Sequence, residues 1–161
     1  MREGPDVLVN ALAGERVVFH THAADSGGEV IRFDLVLTKV GGSPPAHVHL
    51  HQSEEFSVRS GTIRVLIGDQ ERLLGPGEQA LVPAGTPHRW WNAGPGDALV
   101  SVEMRPGLHF EELLEEAFRL VDEGKFGEDG PIDQAATDAW AEKWKDEYRL
   151  VEAEAGDAGS S

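Results

Sequence analysis

Hydrophobic and polar residues alternate along much of the chain. In "EVIRFDLVLTKV", Ile31, Phe33, Leu35 and Leu37 occupy one face and Arg32, Asp34 and Thr38 the other, with Val36 among them. A period of two marks a strand with one buried face. Ile63, Val65 and Ile67 repeat it and leave Arg64 facing outward with Arg59. Turn clusters separate these runs: "DSGG" (25–28), "GGSPP" (41–45), "GDQ" (68–70), "GPGE" (75–78), "PAGTP" (83–87) and "AGPGD" (93–97). Many short strands between Gly/Pro turns predict an all-β sandwich or barrel, with its core over about residues 15–105, and not alternating βαβ units.

After Pro106 the period changes. Phe110, Leu113, Leu114, Ala117, Phe118 and Val121 recur at helical spacing, and Gly124 is a suitable stop. A linker, "KFGEDGP", follows. Trp140, Trp144, Tyr148 and Val151, spaced by four, four and three, then predict a second amphipathic helix. Its aromatic stripe is expected to dock on the barrel, covering a sheet edge or completing a subunit interface. The last residues, 152–161, read as a frayed tail. The chain thus divides into a barrel, 1–105, and a C-terminal helical extension, 106–161.

Composition narrows the chemistry. A chain of 161 residues suits one domain with a real core. A formal net charge of −15 repels phosphate backbones and anionic lipid, which disfavours nucleic-acid and membrane partners and leaves a small molecule as the expected one. No apolar stretch reaches membrane-spanning length, and "MREGPDVLVNALAGE" lacks the basic start and apolar run of a signal peptide, so the expected location is cytoplasmic. With no cysteine, disulfides and thiol chemistry are excluded, and any metal must be held by nitrogen and oxygen.

Those ligands cluster in "PPAHVHLHQSEEFSVRSG" (44–61). Residues i and i+2 of a strand face the same way, about 6.6 Å apart, so His47 and His49 can address one ion. His51 shares their face but lies too far along a straight strand. Glu54 follows a tight turn and can swing back as a carboxylate. A His-x-His pair alone equally fits a polar strand, and His20 and His22, with no acid at a comparable distance, are read as structural or surface. A second stretch, "GEQALVPAGTPHRWWN" (77–92), changes the balance. Pro83 and Pro87 fix φ on both sides of a turn and deliver His88 at a defined angle. The set becomes three neutral nitrogens and one carboxylate. Phe56 and Val58 share the face of Glu54, and Trp90 shares that of His88, so these three are candidate pocket walls as well as core. Glu55 and Trp91 face away, and Asn92 reads as a turn residue.

The two stretches resemble the paired motifs of the cupin superfamily. The first runs Gly41, five residues, His47, one, His49, four, Glu54, six, Gly61. The second runs Gly77, five, Pro83, one, Gly85, two, His88, three, Asn92. The resemblance covers about residues 15–105 and implies an antiparallel jelly-roll β-barrel with metal ligands His47, His49, Glu54 and His88. It implies one divalent transition metal ion (Fe, Mn, Ni, Co, Cu or Zn) and a homodimer. The chain resembles the quercetin dioxygenase-like members. The implied activity is a metal-dependent dioxygenase, with Glu54 both ligand and proton acceptor, acting on a largely apolar molecule with enol, diketone or catechol oxygens. A metal-dependent isomerase, cyclase or lyase, and a non-catalytic small-molecule binder, are the alternatives, since one fold hosts many chemistries.

Overall fold

A computed structural model describes residues 4–41 and 45–151. The strands are β1 (Val7–Asn10), β2 (Glu15–Thr21), β3 (Ile31–Leu37), β4 (His47–His49), β5 (Ser53–Ser60), β6 (Ile63–Ile67), β7 (Gln70–Leu74), β8 (Gln79–Val82), β9 (His88–Asn92) and β10 (Ala98–Arg105). Then come helix α1 (Phe110–Asp122), a hairpin of β11 (Phe126–Gly127) and β12 (Gly130–Pro131), helix α2 (Gln134–Trp144) and strand β13 (Tyr148–Leu150). They build an antiparallel jelly roll. One sheet has the order β1-β2-β3-β10-β5-β8 and the other β13-β4-β9-β6-β7.

The inner faces are those the alternation predicts. Ile31, Phe33, Leu35 and Leu37 are buried, as are Val100, Val102, Met104, Phe56, Val58, Ile63, Val65 and Trp90, all in one continuous cluster. Each removes most of an apolar side chain from water, worth roughly 1.5–3 kcal/mol apiece for the larger ones. Arg64 points outward to Glu71 and Arg59 to Ser101. Gly61 sits at the β5–β6 turn with φ +76°, and a Cβ there would collide with the Asp97 carbonyl, so only glycine fits.

Helix α1 lays Phe110 and Phe118 on the barrel core, with Leu114 and Ala117 packed against it and Phe110 stacked on Phe33 at 5.7 Å between centroids. His22 fastens it. Its Nε2 lies 2.6 Å from Asp6 Oδ1 and its Nδ1 2.6 Å from Glu111 Oε2, while Ala23 N–H donates to Glu111 Oε1. His20 pairs with Asp34, so both histidines of "FHTH" are structural or surface, as read.

Two expectations are corrected. The larger sheet begins at Val7, because β1 pairs with β2 through Leu8↔Val17 and its neighbours, ahead of the expected core at residue 15. The second amphipathic segment is also not one helix. It ends at Trp144, and Tyr148, expected on its stripe with Val151, lies instead in β13, paired antiparallel to β4 as Tyr148↔His49 and Leu150↔His47. The backbone groups along the free edge of β4 explain this: an added strand satisfies them, as does Val151 N–H donating to Ala46 O. The tail therefore covers a sheet edge, by a strand. The expected frayed end, 152–161, lies outside the described residues.

Candidate metal centre

His47 and His49 alternate onto the inner face of β4, and the ladder sets His47 opposite His88, the first residue of β9. Glu54 comes from the other sheet. The chain turns after His49, and the turn is anchored by buried Gln52, whose Nε2 donates to the carbonyls of Pro106 (2.9 Å) and Gly107 (2.8 Å). Glu54 then faces inward as the second residue of β5. All four side chains are buried, and one donor atom from each lies within 4.8 Å of every other. Ligands about 2.1 Å from a common ion stand roughly 3–4 Å apart, so the set needs only a small contraction to close on one.

The hydrogen bonds prepare the rings for that role. His47 Nδ1 donates to Pro45 O and His88 Nδ1 to Thr86 O, both at 2.9 Å. A carbonyl can only accept, so each Nδ1 carries the proton and each Nε2 lone pair is turned inward when the ring is neutral. His49 differs: its Nδ1 is buried with no hydrogen-bond partner among the described residues. Burial, helped by the neighbouring imidazoles, pulls His47 down to about 3, so it is a neutral donor across ordinary pH. Glu54 Oε1 lies 3.0 Å from His88 Nε2 and 3.5 Å from His49 Nε2. Burial alone pushes Glu54 up, but those histidines outweigh it and hold the carboxyl well below the usual carboxylate range. Burial likewise pulls His88 down, and the hydrogen bond and charge of Glu54 more than reverse it. Three inward imidazoles and one ionised carboxylate, with no thiol, fit a divalent transition metal of N/O preference.

The remaining sequence-derived residues fall as follows. Phe56, Val58 and Trp90 face inward, with Phe56 and Trp90 6.1 Å apart by ring centroids, and they are almost wholly buried. Trp91 faces out, with the Arg89 guanidinium 4.8 Å over its ring. Asn92 is buried and organises its turn, donating to Leu37 O and Gly96 O and accepting from Gly94 N–H. His51 is exposed. His109 pairs with Glu147.

Tyr148, beside the site, and Glu15, in the larger sheet, escaped the sequence reading of the site. Tyr148 stacks on His47 (5.0 Å, 23°) and meets His49 edge-on (5.5 Å). Glu15 starts β2 on the same face as buried Val17 and Phe19. Desolvation, and then the charge of Glu54, push its carboxyl up to about 7. Glu15 itself is partly exposed, paired with Asn10 and Leu37. The alternation Glu15-Val17-Phe19 was the available signal, masked by the charge at its first position.

The family described as "Cupin domain" matches residues 34–104, which hold all four candidate ligands. The chain carries a cupin domain. This cupin is 29% identical over 110 residues to quercetin 2,3-dioxygenase of Bacillus subtilis (strain 168), covering 65% of the chain and 33% of that protein. It is 33% identical over 85 residues to mannose-1-phosphate guanylyltransferase ManC of Salmonella typhimurium (strain LT2), covering 53% of the chain and 18% of that protein. The chain thus spans a third or less of either relative. Among solved structures, a recombinant oxalate oxidase in complex with glycolate superposes with a TM-score of 0.51 at 23% identity, over 59% of this chain and 52% of that one. That likeness is one of fold. Among the described residues, no helix is long and apolar enough to cross a membrane.

Proposed function

We propose that this cupin binds one divalent transition metal ion through His47, His49, Glu54 and His88 and acts as a metal-dependent dioxygenase. Its substrate is a small, largely apolar molecule bearing enol, diketone or catechol oxygens. The observation that carries this reading is the buried four-residue set, assembled from both sheets with two of its imidazoles already oriented by backbone carbonyls. An ion held there supplies a Lewis acid for a substrate oxygen and, if redox-active, an electron path to dioxygen. His47, His49 and His88 serve as fixed donors. Glu54 is the carboxylate placed to accept the proton that an enol gives up on binding; the imidazoles beside it keep it ionised and free to accept, though they also lower its basicity. Phe56, Val58 and Trp90 provide apolar walls that exclude water. The likeness to quercetin 2,3-dioxygenase supports the oxygen chemistry. The outward courses of Arg59 and Arg64 argue against a phosphorylated substrate, which wants a cation near the site. Oxygen consumption with a flavonol or a β-diketone, abolished by a chelator and restored by metal, is the expected result. Metal-dependent turnover of these compounds without oxygen would replace the dioxygenase with an isomerase or lyase.

A further inference from the structure

The C-terminal extension reaches the candidate metal centre with two aromatic rings. Tyr148 opens β13 opposite His49 and stacks on His47, with 5.0 Å between centroids and 23° between planes. The same ring meets His49 edge-on at 5.5 Å and 64°. Phe110, the first residue of α1, also meets His49 edge-on, at 5.6 Å and 66°. Trp140 of α2 braces Tyr148 in turn, edge-on at 5.4 Å, and its Nε1 donates to Leu113 O on α1. Backbone bonds pin β13 at both ends: Leu50 N–H donates to Glu147 O and Val151 N–H to Ala46 O. The Glu147 carboxylate also accepts from the His109 backbone N–H. The two helices and the strand together fix where the Tyr148 ring lies.

The imidazoles depend on that packing unequally. His47 and His88 each have Nδ1 tied to a backbone carbonyl, Pro45 O and Thr86 O, which sets tautomer and ring direction. His49 Nδ1 is buried and has no hydrogen-bond partner among the described residues. The last torsion of a histidine is intrinsically broad, so surrounding surfaces must limit the rotation of this ring. Besides its fellow ligands His47 and His88, the rings against it are those of Tyr148 and Phe110. Edge-to-face contacts of this separation are a preferred aromatic geometry. Phe110 is already engaged by Phe33 in the core, whereas Tyr148 touches two of the four candidate ligands. Covering the edge of β4 needs only the backbone of β13. It does not need a ring at position 148.

We propose that Tyr148 is a positioning residue of the metal centre. Its ring holds the His49 imidazole, and the plane of His47, so that both converge with Glu54 and His88 before an ion arrives. This rests on the metal reading above. Cobalt(II) is the probe. Its affinity for the full chain is read by competition with a chromophoric chelator, and its visible spectrum reports the ligand arrangement. Tyr148→Leu, which removes the ring, should bind cobalt about tenfold more weakly, the lower end of losses seen when ligand orientation is disturbed. It should also change the intensity of the cobalt bands. Tyr148→Phe keeps the ring and should match wild type in both. Arg149→Ala, an exposed neighbour in β13 whose guanidinium donates to Lys145 O, should match it too. A merely structural role for Tyr148 would lower the urea midpoint yet leave the affinity and spectrum of the folded protein unchanged. Should Tyr148→Leu not fold, Tyr148→Met carries the same expectation. Wild-type affinity and spectrum in the folded leucine or methionine variant overturn the proposal. So does a Tyr148→Phe that behaves like Tyr148→Leu, which would assign the effect to the hydroxyl. A wild type that takes up no cobalt overturns the metal reading instead.

Discussion

Replacing Glu15 by glutamine in the metal-free protein should raise stability in a pH-dependent way. The carboxyl titrates at about 7 in the fold and at an ordinary 4.5 when solvated, a difference worth about 3 kcal/mol. The sign follows from which state holds the proton. Below pH 4.5 both states are protonated and the residue is neutral in its effect. Between 4.5 and 7 the unfolded chain releases a proton that the folded chain retains, so the wild type loses stability progressively. Above 7 the loss is complete and constant. Glutamine has no such proton, so the gain of Glu15→Gln over wild type should grow by about 3 kcal/mol from pH 4 to pH 7.5. For a chain of this length that is roughly 6–12 °C in Tm. The His47 imidazole, neutral above about 3, contributes equally to both proteins and cancels. Urea unfolding at a series of pH values with chelator present measures the gap. A gap flat across this range would refute the placement of Glu15 in a desolvated interior.

Two other perturbations probe the frame around the site. His22 is raised above its ordinary 6.5, first by its hydrogen bond to Asp6 and then by that to Glu111. Its stabilisation is therefore fully present below pH 6.5 and fades as pH climbs through the raised value. The stability lost in His22→Ala should accordingly be largest in mild acid and shrink in alkali, and a deficit constant with pH would contradict this clamp. Gly61→Ala should cost about 3 kcal/mol or more, from a positive φ and a Cβ 2.7 Å from Ala98 Cα. Urea unfolding should register that loss while the folded fraction keeps its metal, and an unaltered midpoint would contradict the close approach of the two strands.

The sequence was most readable where one side-chain period met one buried face. Ile31 to Leu37 and Ile63 to Ile67 alternate cleanly because one side of each strand is core. The ligand set was readable because His47 and His49 share a face and rigid Pro-flanked turns aim His88. Tyr148 was not, because its spacing from Trp140 and Trp144 satisfies a helix equally well. Only the unpaired edge of β4, a tertiary feature, draws it into a strand. Gln52 looked like an ordinary turn residue, and its burial arises from two carbonyls more than fifty positions away. Glu15 reads as a solvated strand-end carboxylate; it keeps partial exposure, and its raised titration comes from its folded surroundings, which the sequence does not show.

Elemental analysis of protein purified without an affinity tag decides whether His47, His49, Glu54 and His88 hold an ion. Close to one equivalent of a divalent transition metal per chain is expected, falling to background in His47→Ala and His49→Ala that remain folded by circular dichroism. A wild-type protein free of metal that also refuses it on addition, or a His47→Ala variant that retains the full complement, would contradict it.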